Sequence, residues 1–320
     1  MSTETWQAGD IVAQRYRLER RLGEGGWGEV WRAEHLTLRS HVAMKLALRT
    51  LARPDAASRL LREARAAAAL SSPHVVQLLE FGLHQGALPF LVFELLEGED
   101  LAERLDRVGG PLDLAEVARL MTHVARAMTR AHEQGVVHRD LKPENVFIVQ
   151  NDDEEMAKVL DFGVAKLSER LSEGLSPHSK VGALFGTPNY MSPEQLRGDE
   201  PVTYRADLWS MAVIAFECVT GQMMHAGYPL GDLMRAIVGG ELPRPSHLCA
   251  VPEGFDEWFA RAAALRPEDR FDCARTMARE LRAVLTPGQR EGRDSMISIT
   301  DVHSSGVRPL SPEVRALARR

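Results

Sequence analysis

One stretch, His138-Arg139-Asp140-Leu141-Lys142-Pro143-Glu144-Asn145, followed at some distance by Asp161-Phe162-Gly163, constrains this chain more than any other. Two acids and an amide stand near the ends of short apolar runs, with a cation between them. Core packing gives no reason for that combination, whereas a site for phosphate and a metal does. Asn145 and Asp161 offer the hard oxygens that suit magnesium, Asp140 can accept a hydroxyl proton, and Lys142 can neutralise a transferring phosphoryl group.

The octet resembles the catalytic loop of the bacterial eukaryotic-like Ser/Thr protein kinase family, and Asp161-Phe162-Gly163 resembles that family's magnesium-binding motif. The resemblance implies an α+β, two-lobed protein kinase fold: a small N-terminal lobe of antiparallel β-sheet with one main helix, and a larger, mostly helical C-terminal lobe. It implies ATP and Mg2+ as cofactors. The remaining segments follow the family's order from about Tyr16 to Leu285.

Composition bounds this expectation. At 320 residues and 44% hydrophobic the chain can bury a substantial core. Lys plus Arg number 39 against 45 acids, and the net charge of -6 provides no basic field for nucleic acid or an anionic membrane. Cys218, Cys249 and Cys273 are widely spaced and lack any Cys-x-x-Cys pair, so they read as buried thiols in a reducing compartment. Met1 to Asp10 has no apolar centre and does not read as a secretory signal. The longest apolar run, Met211 to Val219, contains Glu217 and is far shorter than the ~20 residues of a membrane helix. A cytoplasmic protein without a membrane span is expected.

Along the chain, Tyr16 to Leu22 alternates as a strand does and runs into Gly23-Glu24-Gly25-Gly26-Trp27-Gly28-Glu29-Val30. Glycines at Gly23, Gly25 and Gly28 allow backbone to approach a polyphosphate without a Cβ in the way. A dinucleotide-binding turn would need a helix after the last glycine, but Val30 to Glu34 reads as a second strand, so a hairpin over phosphates is expected. An ordinary hairpin turn is the plainer alternative, and Trp27 at its tip has no assigned role. Val42-Ala43-Met44-Lys45 is a short apolar strand ending in a cation, which burial obliges to find an acid. Asp55 to Leu70 reads as a helix with an apolar stripe at Leu60, Leu61, Ala64 and Ala68. Glu63 on the stripe's edge is the expected partner of Lys45, although Arg59, Arg62 and Arg65 could hold it on the surface instead.

Val75 to Phe81 and Pro89 to Leu95 complete the sheet, and Leu95 to Asp100 resembles the kinase hinge. By that match Phe93 gates the rear of the nucleotide pocket, Glu94 and Leu96 offer backbone contacts to adenine, and Asp100 meets the ribose. Asp100 also suits the N-cap of a helix over Leu101 to Val108. Leu114 to Gln134 is a long amphipathic helix closed by Gly135. Beyond the catalytic loop, Val146 to Val149 and Lys158 to Leu160 form an expected hairpin around a solvated acidic loop, Asn151 to Glu155, with Phe147 and Leu160 flooring the pocket. Val30 and Ala43 are counted with the nucleotide-binding residues.

Gly186-Thr187-Pro188-Asn189-Tyr190-Met191-Ser192-Pro193-Glu194 resembles the activation segment and its closing motif, with serine in place of alanine. That similarity implies protein substrates rather than small metabolites, and Lys142 implies Ser/Thr acceptors. Arg205 to Met211 resembles the helix whose aspartate, here Asp207, binds the catalytic-loop backbone, and Arg270 is the expected partner of Glu194. Arg139 beside Asp140 suggests control by phosphorylation, for which Ser176 and Ser179 are the nearest candidates, and Thr187 is expected against Asp140 and Lys142 rather than as a phosphate carrier. The expected division is 1–15 as an N-terminal extension, 16–98 and 99–285 as the two lobes, and 286–320 as a flexible tail carrying Ser295, Ser298, Thr300, Ser304 and Ser305. Self-association for phosphorylation in trans fits the resemblance. The alternative is a pseudokinase scaffold that binds nucleotide and transfers nothing; Lys45, Glu63, Asp140, Asn145 and Asp161 all speak against it.

Overall fold

In the computed structural model, residues 6–25, 28–47, 64, 70–151, 154–162, 188–199 and 201–288 are described. The first layer is a six-stranded sheet in the order β1-β2-β3-β4-β6-β5, every neighbouring pair antiparallel. Its strands are β1 (Ile11–Val12), β2 (Tyr16–Gly25), β3 (Gly28–His35), β4 (His41–Ala47), β5 (Leu78–His84) and β6 (Leu88–Glu94). The strand expected over Val75 to Phe81 begins later. Val75 instead makes a parallel bridge to Val159, and Val76 N–H donates to the Val159 carbonyl, 3.1 Å.

Alternation along β4 decides where its cation goes. Val42, Met44 and Leu46 enter a core with Trp6, Val12, Tyr16, Leu18, Trp31 and Phe90, so Ala43, Lys45 and Ala47 face the other side. There Ala47 and Leu91 pack on Ala64, a helical, buried residue. Leu70, where the predicted helix was to end, is buried but not helical, and the other residues of that helix, Glu63 included, lie outside the described residues. Trp6 and Val12, from the part read as an extension, are buried in the sheet's core, and Trp6 Nε1 donates to the Ala47 carbonyl, 3.5 Å.

β2 and β3 form the strand-loop-strand hairpin expected of the glycine-rich stretch, with Gly25 paired to Gly28. The structure gives Gly28 a further reason to lack a side chain. A Cβ there would run into the Leu46 carbonyl of β4, whereas at Gly23 it would meet nothing. Gly28→Ala is therefore expected to cost about 1–3 kcal/mol of stability, read from a urea unfolding curve. An unchanged midpoint would mean that β3 can move away from β4.

The second layer is helical. Its helices are α1 (Leu101–Val108), α2 (Leu114–Glu133), α3 (Pro193–Arg197), α4 (Arg205–Thr220), α5 (Leu230–Gly239), α6 (Phe255–Ala262) and α7 (Ala274–Leu285). Asp113 starts α2 by accepting from the Ala115 and Glu116 N–H groups, each 3.0 Å, and Gly135 follows its end at φ +72°. The helix buries Val117, Leu120, Met121, Val124 and Met128. α4 is buried nearly all round, from Ala206 through Thr220 with Glu217 half-buried, which makes it the central rod of this layer. Among the described residues no helix is long and apolar enough to cross a membrane. Cys218 is buried in α4, but Cys249 and Cys273 are half-exposed, contrary to the reading of all three as buried thiols. Cys273 instead begins α7, its Sγ accepting from Thr276 N–H, 3.5 Å.

A small second sheet joins the layers: β7 (Gly98–Asp100), β8 (Val146–Asn151) and β9 (Glu154–Val159), in the order β7-β8-β9. The acidic stretch expected as a solvated loop is thus largely strand, because β8 and β9 pair out to Asn151 and Glu154.

Candidate active site

The β8–β9 hairpin brings the two expected metal ligands together. Asn145 precedes it, Asp161 follows it, and Leu160 N–H closes its base on the Asn145 carbonyl, 2.9 Å. The loop before it hangs from α4. The fully buried Asp207 accepts from His138 N–H at 2.9 Å and Arg139 N–H at 2.8 Å, and His132 Nε2 meets it at 2.8 Å. This is the backbone contact expected of Asp207.

His138, which carried no assigned role, connects the two motifs. Its Nδ1 accepts from Asp140 N–H, 3.3 Å, so its Nε2 carries the proton and donates to the Leu160 carbonyl, 2.8 Å. Its ring meets Phe162 edge-on at 4.9 Å. Arg139 and Asp161 have φ of 69° and 56°. Non-glycine residues in that region are costly and are held there by their surroundings, and here the held residues adjoin or constitute the candidate site.

Five polar side chains then converge. Lys45 Nζ lies 2.7 Å from Asp161 Oδ2, with the two side chains 11% and 39% exposed. Desolvation opposes the Asp161 charge, but Lys45 outweighs it and holds the carboxyl below the usual range. Lys142 Nζ is 3.2 Å from Asp140 Oδ2. Asn145 Nδ2 donates to the Asp140 carbonyl, 2.7 Å, so its Oδ1 is the atom left for a cation. No group of three or more His, Cys, Asp or Glu suited to a metal occurs among the described residues. One carboxylate and one amide oxygen near the cations Lys45 and Lys142 fit magnesium, which takes few protein ligands and completes its shell with phosphate and water.

The stretch expected to meet a nucleotide runs from Glu94 to Asp100. Glu94 Oε1 accepts from Lys158 Nζ at 2.6 Å and from Gln77 N–H at 2.8 Å, while its own N–H donates to the Gln77 carbonyl, 3.1 Å. The Glu94 carbonyl is what it can offer a ligand. Leu96 is half-buried between β6 and β7. Asp100 caps α1, accepting from Glu103 N–H at 2.9 Å while Glu103 returns the bond to Asp100 N–H at 3.0 Å. Burial raises the Asp100 carboxyl above its ordinary value, partly offset by the backbone N–H groups of Glu103 and Ala102. Phe147 stands opposite Asp100 in the β7–β8 register, and Val30 stands opposite Lys45 in β3–β4, next to the half-buried Ala43.

The protein kinase domain profile matches residues 16–238. The chain belongs to the protein kinase domain family. This kinase chain is 39% identical over 267 residues to the serine/threonine-protein kinase PknH of Mycobacterium bovis, covering 82% of the chain and 43% of PknH. It is 34% identical over 281 residues to the serine/threonine-protein kinase pkn3 of Myxococcus xanthus, covering 86% of the chain and 51% of that relative. The chain therefore spans about half or less of the length of these curated relatives. A solved structure of a double-mutant PknI kinase domain from Mycobacterium tuberculosis superposes with a TM-score of 0.69 at 26% identity, covering 88% of this chain and 99% of that one. The two-lobed α+β kinase fold expected from the motifs is the fold of this chain.

Of the residues singled out in the sequence, Lys45, Asp140, Lys142, Asn145 and Asp161 come together, and Glu194 pairs with Arg270 through two contacts of 2.7 and 2.8 Å. Glu63, Trp27, Gly163, Ser176, Ser179 and Thr187 lie outside the described residues, as does the expected tail beyond Gly288. His138, His132 and Lys158 were missed. His132 and His138 flank a helix end, where a buried acid elsewhere in the chain is a natural partner, but nothing local names Asp207 as that acid.

Proposed function

We propose that this chain is an ATP-dependent Ser/Thr protein kinase acting in cytoplasmic signalling. The observation that carries the reading is the 2.7 Å contact of Lys45, from the sheet, with Asp161, beyond β9. It supports the reading by setting a cation that would bind phosphate beside an acid that would bind metal, with the linked trio Asp140, Lys142 and Asn145 completing the set. Magnesium bound by Asn145 and Asp161 would neutralise phosphate charge.

In this reading the β2–β3 hairpin, with Gly23, Gly25 and Gly28, covers the phosphates, and Lys45 holds the α- and β-phosphates, oriented by Glu63. The backbone at Glu94 and Leu96 holds adenine, Asp100 meets the ribose, and Val30, Ala43 and Phe147 enclose the base. Asp140 orients the acceptor hydroxyl and takes its proton as the oxygen forms its bond to the γ-phosphorus and ADP departs. Lys142 stabilises charge on the transferring group. Protein substrates, the chain itself among them, and pairing of two copies for phosphorylation in trans belong to the same proposal.

The test is transfer from labelled ATP to the chain and to a generic basic protein, with and without magnesium, followed by phosphoamino-acid analysis. Phosphoserine or phosphothreonine that requires magnesium is the expected result. ATP binding without any transfer would move the reading to a pseudokinase scaffold.

A further inference from the structure

Arg104, on the first turn of α1, is nine-tenths buried and has three acids around it. Its guanidinium bonds Glu99 of β7 and Glu116 of α2, and reaches Glu155 of β9 at 2.6 Å. Two outer cations complete the set: Arg107 holds Glu99 at 2.7 Å, and Arg119 holds Glu155 at 2.9 Å. Three cations thus balance three acids. Bonds from Arg107 and Arg104 hold the Glu99 carboxyl down to about 2 against the desolvation that opposes its charge.

The position of this knot matters more than its strength. β7 is three residues long, and its first residue, Gly98, sits at φ 150°. So short a strand is weakly held by its ladder alone. Glu99 is its central residue, directly before Asp100. Arg104 therefore fastens the lobe-connecting strand at once to α2 and to β9, the strand that leads to Asp161.

We propose that Arg104 is a positioning residue for nucleotide binding, fixing Gly98–Asp100 relative to the β8–β9 hairpin through Glu99 and Glu155. The proposal rests on the reading of this cleft as an ATP site. Arg104 touches no reacting atom; it sets where the ribose-side backbone stands. Its loss should weaken ATP in ground and transition states alike, raising KM while leaving kcat in place.

The experiment measures ATP saturation of phosphate transfer by the full chain, beside direct ATP binding, for Arg104→Met, Glu99→Gln and the double variant. Arg244→Gln, which breaks the exposed pair with Asp256, serves as the control. The expected result is a KM for ATP raised about tenfold in Arg104→Met, the loss of one charge-assisted contact's worth of binding. Its kcat should stay within about twofold, as expected when only uniform binding is lost. Glu99→Gln should move KM the same way by less, and the double variant should move it no further than Arg104→Met.

A purely structural role lowers the folded fraction, which reduces Vmax but not KM. An unchanged KM in Arg104→Met, or in Glu99→Gln should Arg104→Met not fold, would overturn the proposal. Failure of the wild-type chain to bind ATP would overturn the reading of the site itself, and the proposal with it.

Discussion

Asp140→Asn should reduce phosphoryl transfer by about 10²–10⁴-fold, the usual contribution of a positioned acid-base group, while leaving ATP binding and folding nearly intact. The substitution is almost isosteric. The loop's shape depends on the Asp140 carbonyl, which takes the 2.7 Å bond from Asn145, and on Asp207, which holds the two preceding N–H groups; the Asp140 carboxylate is only 3.4 Å from Asn145 Nδ2. Steady-state kinetics with a protein acceptor would check this. Activity within a few-fold of wild type would remove Asp140 from the role of base and shift attention to Lys142 and the metal ligands.

The second large effect is one of stability. Arg270→Met should destabilise the chain by about 3–5 kcal/mol, the cost of leaving one member of a buried pair alone. Arg270 is 2% exposed, and besides Glu194 it donates to the carbonyls of Ala264 and Arg205, each at 2.8 Å. Its loss would strand a buried carboxylate and two carbonyls together. Burial opposes the Glu194 charge, yet Arg270 holds its carboxyl below the ordinary 4.5. The pair's contribution is therefore full above that pH and fades as pH falls below it. Chemical denaturation at neutral pH decides the matter: a loss of only about 0.2–1 kcal/mol, typical of an exposed pair, would show that the region relaxes around Glu194.

The site was legible where its chemistry lies close together in the chain. His138 to Asn145 and Asp161 to Gly163 each hold several functional groups within one short segment, and the β8–β9 hairpin between them brings Asn145 to Asp161 by simple strand pairing. Lys45 was legible because a cation ending an apolar strand needs a partner. Asp161, 116 residues away, is a described partner that its own segment could not name, while the expected Glu63 lies outside the described residues. The ionic knot at Arg104 was not legible. Its acids lie 5, 12 and 51 residues away, and Glu155 read as part of a solvated loop because its run of acids resembles one. Only the pairing of β9 turns that side chain inward to α1. Periodicity misplaced the start of β5 for a related reason: Val75 is apolar because it meets Val159 of the second sheet, which the alternation of its own segment cannot reveal.

The family profile begins at residue 16 and stops at residue 238, but neither core respects those limits. Trp6 and Val12 fill the sheet's interior from before its start, while Phe259, Phe271 and Leu281 fill the helical interior from beyond its end. A fragment trimmed to the matched region would expose both interiors and would also lose Arg270, the sole arginine shown bonded to Glu194 among the described residues. The buried cores of this chain thus draw on residues from Trp6 to Leu285, and two sequences aligned only over their shared motifs can differ in how much of each core the aligned part keeps.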